Sequence, residues 1–245
     1  MNLLDKMRFH IEDFAWTKDP QFMFYRILQI IRRRGIPLPE TVFMDLPYYS
    51  GTEKHLMKYM VPRHHGCFID IGANVGMWTR FVAKKGYKVY AFEPSPVPYR
   101  YLKMLAKQFS NVNVYPYALG ENNCRAKLNV HKSSGHNSLV FQRRDFSGIQ
   151  IIVTVRTLDS FKFKNVGLIK IDTEGYEVPI LKGAQRTIRE NKPRLIVEVH
   201  DPYKQQLSLI KGILRKHDYK WIIRYKGSAN PRKFEPQPHI IGDPE

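Results

Sequence analysis

Three short stretches of the chain carry residues able to do chemistry. In the first, Asp70-Ile-Gly72-Ala-Asn74-Val-Gly76 closes an apolar run and opens a helical stretch, and Glu93 ends the next apolar run, 21 positions after Gly72. Glycines at such a turn let the backbone approach a ligand closely. A carboxylate at the end of the second strand can accept hydrogen bonds from both hydroxyls of a ribose. No Gly-Lys-Ser/Thr follows, which excludes a P-loop, and the spacing departs from the Gly-x-Gly-x-x-Gly fingerprint of dinucleotide sites. Asp70 would repel a pyrophosphate but suits a cationic or zwitterionic ligand. S-adenosylmethionine, with a sulfonium and an ammonium group, has that chemistry.

The second stretch is Leu168-Ile-Lys-Ile-Asp172-Thr-Glu174-Gly175-Tyr-Glu177, with three carboxylates in six residues. Crowding of that kind calls for a cation, a proton or hydrogen bonds to offset the repulsion. Glu177 has a simpler explanation, since an acid favours the first turn of a helix. The third stretch is Arg194-Leu-Ile-Val-Glu198-Val-His200. Glu198 and His200 lie two apart on a strand and so share a face. With Asp172 and Glu174 they would form a proton-transfer cluster, His200 or Asp172 acting as base, or a divalent-cation site with Asp172, Glu198 and His200 as ligands. The alternative for His200 is a purely structural histidine. His64, His65 and His131 show no ligand spacing and read as surface residues.

The elements that must position these residues follow from the pattern of apolar runs. From Cys67 onward, short apolar runs alternate with helical stretches. Strands are expected at Cys67–Ile71, Lys88–Glu93, Val112–Tyr117, Val166–Asp172, Arg194–His200, Tyr219–Tyr225 and His239–Gly242. Helices are expected at Asn74–Lys85, Pro96–Phe109, Tyr176–Glu190 and Pro202–Lys216, and two β-rich runs, Arg125–Val130 and Gln150–Val155, flank a polar loop. Strands alternating with helices imply an α/β fold, a mostly parallel sheet covered on both faces. Ligands of such sheets bind beyond the carboxyl ends of the strands, where every motif above falls.

The blocks around Asp70 to Gly76, Ala91-Phe-Glu93-Pro-Ser-Pro96, Tyr117-Ala118-Leu119-Gly120, Thr157-Leu158-Asp159-Ser160, Ile169-Lys-Ile-Asp172-Thr-Glu174-Gly175-Tyr-Glu177 and Ile196-Val-Glu198-Val-His200 resemble, in order and spacing, the FkbM family of class I methyltransferases. The resemblance covers about residues 63 to 225. It implies a Rossmann-like seven-stranded sheet and S-adenosylmethionine-dependent O-methylation of a sugar, glycan or related small-molecule hydroxyl. It also implies that Asp70, Gly72, Asn74 and Gly76 surround the methionine part of the cofactor and that Glu93 holds the ribose. Ala118 and Leu119 would lie near the adenine, with Asn137 and Ser138 of the polar loop lining the same site.

The chain has 245 residues, 43% of them apolar, enough for one sizeable domain. Residues 63–245 read as the methyltransferase domain and residues 1–62 as a helical N-terminal extension. That extension includes a basic amphipathic helix around Phe22–Ile31, suited to packing on the domain or to lying on an anionic membrane. The charged first residues lack the apolar core of a signal peptide, no run reaches membrane-spanning length, and two unpaired cysteines suit a reducing compartment. A cytoplasmic protein, peripheral to a membrane if the helix docks there, is expected. Net charge is +18, of which +10 falls between Lys182 and Lys233. The excess suits phosphate-carrying acceptors and makes RNA 2′-O-methylation the runner-up reaction. The reading of a different class is a non-catalytic S-adenosylmethionine-binding protein that docks through its basic face.

Overall fold

The computed structural model describes residues 56–131, 134–140, 146–200, 203–225 and 238–245. All but the first two of these residues fall in one compact unit, Lys58–Tyr225 with Gln237–Glu245. The amphipathic helix and nearly all of the expected N-terminal extension lie outside the described residues. Among the described residues, no helix is long and apolar enough to cross a membrane.

Seven strands form the central sheet: β1 (Cys67–Ile71), β2 (Val89–Phe92), β3 (Val112–Tyr115), β7 (Val166–Ile171), β8 (Arg194–Glu198), β9 (Tyr219–Tyr225) and β10 (Pro238–Pro244). Their order is β3-β2-β1-β7-β8-β10-β9. The strands from β3 to β8 run parallel, and β10 is antiparallel to both of its neighbours. β1 and β7 are buried along their whole length, as strands covered on both faces must be. The strand order reverses at β1, with β2 on one side and β7 on the other, so a crevice opens beyond the ends of β1 and β7. Short strands β4 (Ala118–Leu119), β5 (Cys124–His131) and β6 (Phe146–Arg156) form a second sheet, in order β4-β6-β5. This sheet corresponds to the two expected β-rich runs.

The helices are α1 (Met77–Ala83), α2 (Pro96–Ala106), α3 (Glu177–Lys182), α4 (Gln185–Asn191) and α5 (Tyr203–Lys216). α1 is shorter than expected because Asn74 and Gly76 both take positive φ, +50° and +91°, and the chain turns before the helix starts. The single helix expected over Tyr176–Glu190 is two. Gly183 separates them, and a methyl group there would collide with the carbonyl oxygen of Gly120, so the break lets this corner pack against the β4 loop. A second packing device begins α4. Asp159 accepts hydrogen bonds from the backbone N–H groups of Arg186 and Thr187, both at 2.8 Å, and from the Thr187 hydroxyl at 2.7 Å. An acid from a distant segment thus caps orphan donors of a helix that has no side-chain cap of its own.

Candidate functional site

The end of β1 is held against both neighbours by backbone hydrogen bonds. Gly72 and Ala73 donate to the Phe92 carbonyl at 3.1 and 3.0 Å, and Asp172 donates to the Ile71 carbonyl at 3.1 Å. Gly72 has φ +75°, and a methyl group on it would collide with the Asp172 carbonyl oxygen. The loops that end β1 and β7 therefore touch backbone to backbone. An open cleft with about 680 Å³ of empty space, including solvent at its mouth, lies beyond them. Gly72, Asn74, Glu93, Ala118, Leu119, Asn137, Asp172 and Glu174 all line it, with Phe92, Tyr117 and Tyr176 among the aromatic walls.

Glu93 is anchored at the cleft by two backbone donors, Asn74 N–H at 2.9 Å and Ser95 N–H at 2.8 Å. Burial pushes its carboxyl up to about 7 in spite of these bonds, which pull the other way. Hydroxyl donors brought by a ligand would favour its ionised form further.

Asp70, Gly76 and Ser138 do not line the cleft. Asp70 is buried behind it, accepts a 2.7 Å bond from Thr79 and stands beside Lys170 in strand register. Desolvation raises its pKa against the opposing charge of Lys170. Asp70 thus ties α1 to the sheet. Gly76 lies where a side chain would run into Leu105 and Leu102, at 2.6 and 2.7 Å, so its role is close approach of α2. Ser138 donates a 2.7 Å bond to the carbonyl of Glu174 and so pins the acidic loop rather than touching a ligand directly.

The second half of the site converges on His200, which is fully buried. Its Nδ1 lies 2.9 Å from Glu177 Oε1. Around Nε2 stand Glu174 Oε1 at 3.4 Å, Glu198 Oε1 at 3.6 Å and Asp172 Oδ1 at 3.9 Å, yet Nε2 makes no hydrogen bond. Burial alone would drive the proton off this imidazole. Contacts with Glu174 and Glu177 outweigh it and hold the pKa well above the ordinary value of 6.5. The acids around His200 therefore favour its charged form in the metal-free chain. With Glu174, Asp172 is an acid of this cluster that reaches the cleft. Its Oδ2 accepts from the buried ammonium of Lys170 at 3.0 Å. Glu174 adopts φ +55°, a conformation that costs a residue with a side chain and recurs at working sites.

Glu198 faces away from the cleft, with Oε2 at 3.2 Å from His239 Nε2. Among the described residues, the atoms close enough to hold one metal ion belong to Asp172, Glu174 and His200, and Glu198 is not with them. Three further residues matter that the sequence did not place at the site: Lys170, Glu177 and His239. Lys170 carried a signal, a charge inside the apolar run Val166–Ile171. Glu177 is not merely a helix-start acid. It is fully buried and its Oε1 accepts from Gly175 N–H at 3.0 Å as well as facing His200. His131 is buried rather than at the surface, packed on Phe146. His64 and His65 are exposed.

A seven-stranded sheet with the last strand inserted antiparallel, a glycine turn after β1 and an acid after β2 define the class I methyltransferase fold. The family model of the methyltransferase FkbM domain matches residues 70–221, and the chain belongs to that family. Methyltransferase 1 of Beauveria bassiana (strain ARSEF 2860) is 23% identical over 159 residues, 54% of this chain and 64% of that protein. The crystal structure of methyltransferase FkbM from Methylobacillus flagellatus KT is similar with a TM-score of 0.54 at 23% identity, covering 71% of this chain and 43% of that one. An rRNA methylase from Streptococcus thermophilus has a TM-score of 0.52 at 12% identity, covering 79% and 97%. The matches thus span less than two thirds of the first two relatives. The family implies S-adenosylmethionine as cofactor, and the cleft fits it. Glu93 stands at the cleft with carboxylate lone pairs that a ribose could use, the Gly72 turn exposes backbone, and Tyr117, Ala118 and Leu119 offer an apolar wall for a base.

Proposed function

We propose that this chain is an S-adenosylmethionine-dependent O-methyltransferase acting on a hydroxyl of a sugar, glycan or related small-molecule acceptor. One observation carries the reading: the cofactor-type residues Gly72, Asn74 and Glu93 and the strand-end acids Asp172 and Glu174 line the same cleft. The cofactor, when bound, supplies an electrophilic methyl group on a sulfonium. The chain supplies position and proton removal. A sugar hydroxyl is a poor acid, so a base or a cation must help it lose its proton. Asp172 would accept that proton or orient the hydroxyl, with Lys170 fixing its carboxylate. Ser138 fixes the loop that carries Glu174. Glu198 and His200 act from behind, by holding the charge balance of the cluster.

Calorimetric titration with S-adenosylmethionine, S-adenosylhomocysteine and NAD tests the reading. Micromolar binding of the first two, weakened at least tenfold by Glu93→Ala and absent for NAD, is the expected result. Absence of S-adenosyl binding overturns it and leaves a docking protein on a methyltransferase fold. The net charge of +18 favours one other acceptor, the 2′-hydroxyl of RNA. Under that alternative, affinity for a short RNA falls steeply between 50 and 200 mM salt, as expected for several phosphate contacts. A salt-independent acceptor affinity favours the neutral glycan. A peripheral membrane position for the basic chain belongs to the same proposal, and vesicle flotation with and without anionic lipid tests it.

A further inference from the structure

Four carboxylates around one buried imidazole form an unusual concentration of negative charge at the base of a cleft. Their arrangement is not symmetrical. Glu177 faces Nδ1 and is held in turn by the backbone of Gly175, so that side of the ring is committed to a carboxylate. A carboxylate on one ring nitrogen is the usual device that orients a metal-binding histidine and makes its other nitrogen the ligand. The other nitrogen, Nε2, is shielded from solvent and makes no hydrogen bond, though acids face it at 3.4 to 3.9 Å. Those separations are too long for good hydrogen bonds. Ligands about 2.1 Å from a metal stand roughly 3.0–3.6 Å apart: Glu174 Oε1 at 3.4 Å falls inside that spacing, and Asp172 Oδ1 at 3.9 Å needs a shift of a few tenths of an ångström to reach it.

We propose that Asp172 Oδ1, Glu174 Oε1 and His200 Nε2 form a binding site for one divalent first-row cation, open to the cleft on the side of Asp172. Two carboxylate oxygens and an imidazole nitrogen suit Mn²⁺, Fe²⁺ or Zn²⁺ better than Ca²⁺, which prefers oxygen alone. The three donors come from two strand ends and are fixed independently. Lys170 holds Asp172, Ser138 pins the Glu174 loop, and Glu177 orients His200. Glu198 backs the site without joining it, its second oxygen turned to His239. Binding of the cation does not depend on the methyltransferase reading. Its role does: within that reading, the ion would lower the pKa of the acceptor hydroxyl.

The test uses the whole chain, freed of metal by a chelator and titrated with Mn²⁺ under electron paramagnetic resonance, then with Zn²⁺ by calorimetry. One Mn²⁺ per chain with micromolar affinity is expected. Asp172→Asn and Glu174→Gln should each weaken it at least tenfold, whereas Glu121→Gln on the exposed surface should not change it. Labelling histidine with ¹⁵N should give a hyperfine coupling to the bound Mn²⁺. Melting temperature and S-adenosylhomocysteine binding are measured on every sample, so a misfolded variant is recognised and the methyltransferase reading is scored separately. Lack of saturable binding of either ion up to millimolar concentration overturns the site. So does binding that folded Asp172→Asn and Glu174→Gln proteins retain, or a bound Mn²⁺ with no histidine coupling.

Discussion

The Cα of Gly72 lies so close to the carbonyl oxygen of Asp172 that no side chain fits between them. One glycine thereby couples the loop that faces the cofactor to the loop that carries the cleft acid. Gly72→Ala meets a backbone collision as well as a positive φ, and should cost on the order of 3 kcal/mol and abolish S-adenosylhomocysteine binding. Gly86 has a similar φ, +86°, with nothing near its would-be side chain. Gly86→Ala should therefore cost only about 1 kcal/mol and leave binding unchanged. Chemical denaturation of both variants separates the two effects, and equal costs would show that conformation alone explains Gly72.

The block Thr157-Leu-Asp159-Ser also resembles the family, yet its role is structural. Thr157 caps the short turn at Leu158–Phe161, accepting from Ser160 N–H at 3.2 Å, while Asp159 caps α4. Asp159→Ala should lower stability by about 2 kcal/mol, the upper range for losing a cap. Its S-adenosylhomocysteine affinity should stay within twofold of wild type. A large loss of affinity in a folded Asp159→Ala protein would contradict a purely structural role.

The sheet and its cleft were legible in the sequence because strand, turn and helix signals are local. Apolar runs gave the strands, and their ends gave the positions of Gly72, Glu93 and Asp172. The break at Gly183 was not legible, since its cause is the Gly120 carbonyl, more than sixty residues away in the chain. The burial of His131 was hidden for the same reason. His239 faces Glu198 only because β10 runs antiparallel to β8 and pairs these two residues in register. Glu177 satisfied a local rule, acid in a first helical turn, which concealed its long-range contact with His200. Local rules thus found the strand ends, while the partners that set the charge state of the cluster came from the tertiary fold.

The contact between Glu177 and His200 has a pH signature. In metal-free protein the folded-state pKa of His200 is raised well above 6.5. Its stabilising contribution is complete below pH 6.5 and is lost as pH rises through the folded-state value. Glu177→Gln removes one buried partner of the imidazolium and should cost about 3 kcal/mol at pH 6. The difference between wild type and variant should shrink at alkaline pH. In a histidine-detected NMR titration, the His200 resonance should titrate at lower pH in the variant. An unchanged titration would assign the raised value to Glu174 and the other acids instead.

Glu93 shifts stability in the same direction for a different reason: burial disfavours its charge, whereas the acids around His200 favour that of the imidazolium. Its carboxyl is pushed up to about 7, so the folded state holds this proton more tightly than the unfolded chain does. Ionising it costs folding free energy, and its contribution to stability falls as pH rises from about 4.5 to 7, by roughly 3 kcal/mol, and is flat above. A ribose would donate hydrogen bonds to the ionised form, so a proton competes with the cofactor. S-adenosylhomocysteine affinity should therefore drop about tenfold per pH unit below 7 and level off above it. Glu93→Gln should remove that slope, bind more weakly than wild type at pH 8, and be the more stable of the two folded proteins at that pH. Calorimetry from pH 5.5 to 8.5 on both proteins checks all three. If the slope persists in Glu93→Gln, the proton that competes with the cofactor belongs to another group in the cleft, and Glu93 does not hold the ribose.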